Sequence, residues 1–262
     1  MTITRSAALA LTVLAGLAGT AEAATLVGLT GDNRLIIVDG DKRMTAKAVP
    51  VAGVQGTLIG IDVRPSNGKL YGVGTDNVIY VVDVATGTAT AGAKLNKAFP
   101  VEQRAVVDFN PVADRLRLMA ADGTNFRVNV DTGEVVVDGT LAYDKEGPMK
   151  GEAPAVTAGA YTNAMAGAKS TALYNIDRAK SMLLLQSPPN DGVLKGVGPL
   201  GVTVGAMAAF DIAPDGDGAN TGMAVIGRTL YTIDLAKGAA KSWGEIQGLD
   251  VALIDIAVWP AK

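Results

Sequence analysis

Aspartates recur at one place in a repeated motif, and carboxylates held at a fixed spacing are the groups in this chain with most to offer chemically. Ile61-Asp62-Val63-Arg64-Pro65 matches Val107-Asp108-Phe109-Asn110-Pro111, Phe210-Asp211-Ile212-Ala213-Pro214 and the C-terminal Ile254-Asp255-Ile256-Ala257-Val258. Carboxylate pairs do general acid–base work, as in glycoside hydrolysis, and several together bind hard cations such as calcium. A degenerate copy near Gly159-Ala160-Tyr161-Thr162-Asn163 puts Tyr161 where the others carry Asp. The sequence has no His and no Cys. That removes Ser-His-Asp and Cys-His nucleophile systems, ordinary zinc sites and haem attachment, and leaves oxygen chemistry.

A second group of polar residues lies in the third copy of the motif. Arg117 stands where the second copy has Tyr71, and Arg127 where it has Val81. Asn125, Arg127 and Asn129 share one face of a strand by period two. Forked donors of this kind recognise a carboxylate, phosphate or sugar, and their ordinary alternative is pairing with Asp114, Asp131 or Glu134. Asp215-Gly216-Asp217-Gly218-Ala219-Asn220 opens like a calcium loop but lacks the closing Glu, so it reads as a turn. Asp32-Asn33 and Asp76-Asn77 read the same way. The longest irregular stretch, Asp138 to Thr157, reads equally as a ligand mouth or lid and as a solvated insertion. With Trp243 and Trp259 as the only tryptophans and 5% aromatics, the chain offers few stacking platforms for sugars.

These residues must be positioned by strands. In the second unit, Gly60 to Arg64, Lys69 to Val73, Val78 to Val82 and Thr88 to Ala93 are β-rich runs. They are separated by Pro-Ser-Asn-Gly, Thr-Asp-Asn and Ala-Thr-Gly turns. Repeats start near Asp62, Asp108, Tyr161, Asp211 and Asp255, at intervals of roughly 50 residues, the period of propeller blades. The last repeat stops after its first strand, and the hairpin Leu26 to Asp39 at the other end lacks an opening strand. Joining the two completes a fifth unit. The expectation is an all-β, five-bladed β-propeller of four-stranded antiparallel blades, the first blade closed by the C-terminal strand. A pair of β-sandwiches would leave the split repeat unexplained. Asp62, Asp108, Tyr161, Asp211 and Asp255 then belong to innermost strands and converge on the central axis. There they either bind a ligand or cation, or tie neighbouring blades together.

Arg5, the apolar run Ala7 to Ala18 and Ala21-Glu22-Ala23 have the layout of a secretory signal. The expectation is a cleaved leader over 1–23, a single domain over 24–262, and a periplasmic or extracellular location. The apolar run is too short to cross a bilayer as a helix, and nothing later resembles a second span. A formal charge of −3 without a basic stripe argues against nucleic acid as a partner, and 48% hydrophobic residues permit a sizeable core without disulfides.

The stretch Val107-Asp108-Phe109-Asn110-Pro111 through Asp114-Arg115-Leu116-Arg117, followed by Asn125-Phe126-Arg127-Val128-Asn129 and Asp131-Thr132-Gly133, resembles a family of secreted bacterial proteins known only as a domain of unknown function. Leu173-Tyr174-Asn175-Ile176-Asp177 and Leu185-Gln186-Ser187-Pro188-Pro189-Asn190 extend the resemblance over nearly the whole chain after the leader. It implies a β-propeller-like fold and transfers no activity, substrate or cofactor. The expected function is a non-enzymatic module that binds a small polar ligand, a cation or a protein partner. The alternative is a carboxylate- or calcium-dependent hydrolase of the glycoside or lactone class. A purely structural envelope module is the third reading.

Overall fold

The computed structural model of the chain describes residues 25–100, 104–205, 207–215 and 218–259, so the leader expected over 1–23 lies outside the described residues. Strands β1 (Thr25–Thr30), β2 (Arg34–Asp39) and β3 (Met44–Pro50) begin the first blade. Strands β4 (Leu58–Arg64), β5 (Lys69–Gly74), β6 (Val78–Val82) and β7 (Ala89–Lys94) form the second. The third is β8 (Val106–Asn110), β9 (Arg115–Met119), β10 (Asn125–Val128) and β11 (Val135–Val137). After the short β12 (Ala142–Tyr143) come β13 (Val156–Tyr161), β14 (Leu173–Asp177), β15 (Met182–Gln186) and β16 (Val193–Pro199), the fourth blade. The fifth is β17 (Ala208–Pro214), β18 (Asn220–Ile226), β19 (Thr229–Ile233) and β20 (Ala240–Glu245). The final strand, β21 (Leu253–Trp259), returns to pair with β1 and completes the first blade in the order β21-β1-β2-β3.

The closure seam is antiparallel, with Thr25 opposite Trp259 and Leu29 opposite Asp255. The inner strands touch in a ring, β21 to β4, β4 to β8, β8 to β13, β13 to β17 and β17 back to β21. Each inner strand is covered on both faces by its neighbours, so it reads as a near-continuous apolar run; all seven residues of β4 are buried. The core is accordingly divided among the seams. Phe109, Leu116, Leu118 and Phe126 of the third blade pack on Ile59, Val73 and Ile79 of the second, with Tyr71 edge-on to Phe109 at 5.4 Å between ring centroids. Each large side chain so buried contributes roughly 1.5–3 kcal/mol.

The matching turns have a shared purpose. Asn33 and Asn77 adopt left-handed φ of 66° and 62°, which Asn tolerates. Their side-chain oxygens accept the Leu58 N–H at 3.0 Å and the Phe99 N–H at 2.7 Å, so each turn holds the chain on its way to the next blade. The stretch expected to be irregular, Asp138 to Thr157, contributes β12 as a fifth strand, parallel to β16. The Tyr143 hydroxyl donates to buried Asp177 and pins this segment to the fourth blade.

Candidate functional site

Four aspartates lie on inner strands and are buried, and each reaches across a seam to the main chain of the next blade. Phe109 N–H in β8 donates to Asp62 Oδ2 at 2.6 Å, and Tyr161 N–H in β13 donates to Asp108 Oδ1 at 2.8 Å. Ile61 N–H in β4 donates to Asp255 Oδ2 at 2.9 Å, and Val258 N–H in β21 donates to Asp211 Oδ2. Asp62, Asp211 and Asp255 also take the N–H of their own following residue at 2.6, 2.6 and 3.0 Å. An inner strand needs such an acceptor because its N–H groups turned toward the axis have no fifth strand to meet. The carboxylates therefore bind blade to blade.

The fifth junction, β13 to β17, is made differently. Tyr161 occupies the place of Phe109, since each gives its N–H to the aspartate of the preceding blade, and Ala160 stands where the other blades carry Asp. The fourth repeat thus begins one residue earlier than its sequence suggests, and the Tyr161 side chain is directed into the seam between the third and fourth blades, where it packs with Val106 and Met119 and meets Arg117. In place of a carboxylate, the Arg104 guanidinium spans the junction, donating to Thr157 O in β13 and to Ala208 O in β17 at 2.5 and 3.3 Å. Nothing in the repeat pattern marks Arg104, which precedes β8 outside any motif.

Asp62, Asp108 and Asp211 each place one carboxylate oxygen within 4.8 Å of the others. Burial pushes the pKa of Asp62 and Asp108 well above the usual carboxylate range, and the neighbouring carboxylates push both further. Burial also lifts Asp255, with Arg104 opposing weakly, and moves Asp211 to about 6. The axis gathers carboxyl groups that the fold holds out of water, a setting that favours their protonated forms.

Arg117 and Arg127 face each other across β9 and β10 and meet on a residue that sequence reasoning did not select, Asp138. Arg117 donates to Tyr161 Oη at 3.1 Å, Asn125 Oδ1 at 2.8 Å, Asp138 Oδ2 at 2.6 Å and Asn190 Oδ1 at 2.9 Å. Arg127 grips both oxygens of Asp138 at 2.7 and 2.9 Å. Arg117 and Asp138 are 1% and 4% exposed, whereas Arg127 is 33% exposed, so the cluster is a seam buried at one end. The expected partners Asp114 and Asp131 belong instead to Arg64, which forks to both and locks the second blade to the third. Arg64 holds the two carboxyl groups below their ordinary range. Of the calcium-like loop, Gly216 and Asp217 lie outside the described residues.

Two of the concavities among the described residues are of ligand size. The larger, about 800 Å³, lies between the first and second blades and is lined by Ile37, Lys47, Lys69, Leu70, Val84 and Trp259 among others. The smaller, about 440 Å³, is bordered by Phe99, Asp122, Asn125, Phe126 and Asp138.

Five four-stranded blades, a ring closed by the pairing of β21 with β1 and buried aspartates on four of its inner strands define a β-propeller. The family model described as "Domain of unknown function (DUF4394)" matches residues 19–257, and the chain belongs to that family. No curated protein matches it. Among solved structures it is similar to a structural genomics protein of unknown function from Bacteroides thetaiotaomicron VPI-5482, at 19% identity and a TM-score of 0.57. That match covers 91% of this chain and 62% of the other, and it supports the fold alone. An auxiliary nutrient binding protein from Bacteroides ovatus ATCC 8483 is more distant, at 15% identity and a TM-score of 0.47, with 82% and 57% of the two chains covered.

Proposed function

We propose that this chain is a non-enzymatic binding module. The observation that carries the reading is the commitment of its reactive groups to the fold. Each axial carboxylate accepts main-chain N–H groups, the Tyr161 hydroxyl takes Arg117, and both arginines hold Asp138. A general acid or base must reach the proton it moves, and groups held this way are spent on structure. A concavity of ligand size meanwhile lies open at the first seam. Export belongs to the same reading and rests on the leader-like residues 1–23. The test is a panel of glycoside and lactone substrates run beside a thermal-shift screen of small ligands. Stabilisation without turnover is expected. Turnover that disappears in a folded Asp108→Asn variant would contradict the reading and establish the hydrolase.

One observation favours a cation at the axis as a second reading: three buried carboxylate oxygens within 4.8 Å of one another suit a shared hard cation such as calcium. Such an ion would offset both the burial and the mutual repulsion that raise the pKa values of Asp62 and Asp108. Melting the protein in EDTA and then in calcium, magnesium or manganese tests this. A rise specific to one cation and absent in Asp62→Asn supports it, and identical melting in all four conditions defeats it.

A further inference from the structure

The groove between the first and second blades has an apolar floor and a cationic rim. Ile37 from β2, Leu70 from β5, Val84 and the indole of Trp259 form the floor, and Lys47 and Lys69 stand at the edge. Lys47 reaches from the first blade to the second, its ammonium donating to Ala85 O at 2.7 Å, which leaves two of its three N–H groups for another partner. The Lys69 ammonium makes no ion pair among the described residues. Asp83 also borders the groove, but its Oδ1 is taken by the N–H groups of Ala85 and Thr86 and by the Thr86 hydroxyl. Two ammonium groups outnumber the one carboxylate, Asp83, which keeps its charge and attracts Lys47, so this edge is net positive on a chain whose formal charge is −3. A volume of about 800 Å³ is that of a site for a small organic molecule.

We propose that this groove binds an amphipathic organic anion, its apolar body against Trp259 and Leu70 and its acidic group at Lys47 and Lys69. The proposal rests on the binding-module reading and gives it a ligand class. Trp243→Phe leaves Trp259 as the single tryptophan reporter. Two probes sharing one aromatic body are titrated against it: 8-anilinonaphthalene-1-sulfonate, an anion, and N-phenyl-1-naphthylamine, which is neutral. Both quench Trp259 emission. Lys47→Gln combined with Lys69→Gln weakens the sulfonate about fivefold or more and leaves the neutral probe unchanged. Lys69→Gln alone, which keeps the Lys47 bridge, serves if the double variant melts early. Equal effects on both probes, or no effect on either, would overturn the anion assignment while keeping the groove as a binding site. Absence of Trp259 quenching by both probes would overturn the groove as a site, and the anion assignment with it.

Discussion

At the scale of residues, the chain adds charge to seams that are already packed with apolar side chains. Asp138 is the clearest case, a carboxylate 4% exposed that serves two guanidiniums. Asp138→Ala leaves Arg117 buried without its counter-charge, and denaturant unfolding should show a loss of about 3–5 kcal/mol. Arg127→Ala removes the partner that is one-third exposed and should cost clearly less. The prominence of Arg117 and Arg127 was legible in the sequence, because they interrupt a repeat that elsewhere holds Tyr71 and Val81. Their partner was not. Asp138 follows β11 in a stretch with no periodicity, and only the fold returns it to β9 and β10. Arg104 escaped notice for the same reason, and its role depends on an absence, the Ala160 that replaces a carboxylate one blade away.

Elements were easier to read than contacts. Strand β6 falls on Val78–Val82 as its pattern suggests, and the turn residues Asn33, Asn77 and Gly87 have the positive φ that separates the strands. The register of the fourth blade was harder, because an apolar Ala160 beside Tyr161 gives no signal of which one faces the axis. Contact between inner strands leaves little room, and this is testable at Gly60. A Cβ there would lie 2.5 Å from Val107 Cγ2 and 2.9 Å from Asp255 Oδ2, crowding the side chain that ties the first blade to the second. Gly60→Ala should therefore destabilise the protein by about 1–3 kcal/mol, read from its melting transition. The closing strand has a larger effect. A chain ending at Asp250 loses β21 and exposes the edge of β1, and it should show no cooperative unfolding transition by calorimetry.

For the whole molecule, closure is a matter of which strands pair, so the position of the chain ends should be dispensable. A circular permutant that joins the two ends by a flexible linker and opens between β3 and β4 makes every blade continuous. It should refold to the same far-ultraviolet circular dichroism spectrum. The feature common to four of the five blades is a buried carboxyl group near the axis. Aspartates whose pKa is raised by folding bind protons more tightly in the native state. Their contribution is complete below the unfolded value of about 4 and is lost as pH rises through the folded values, about 6 for Asp211 and well above the ordinary range for Asp62, Asp108 and Asp255. Asp114 and Asp131, held low by Arg64, act the other way but only below about pH 4. The sequence contains no His or Cys to titrate between pH 5 and 7, so the axial carboxylates dominate that window. The direct measurement is unfolding free energy against pH from 4.5 to 7.5 in EDTA. A steady fall of stability with rising pH is the predicted result. Stability that stays level or rises across the same range would contradict an axis built from buried, mutually repelling carboxylates.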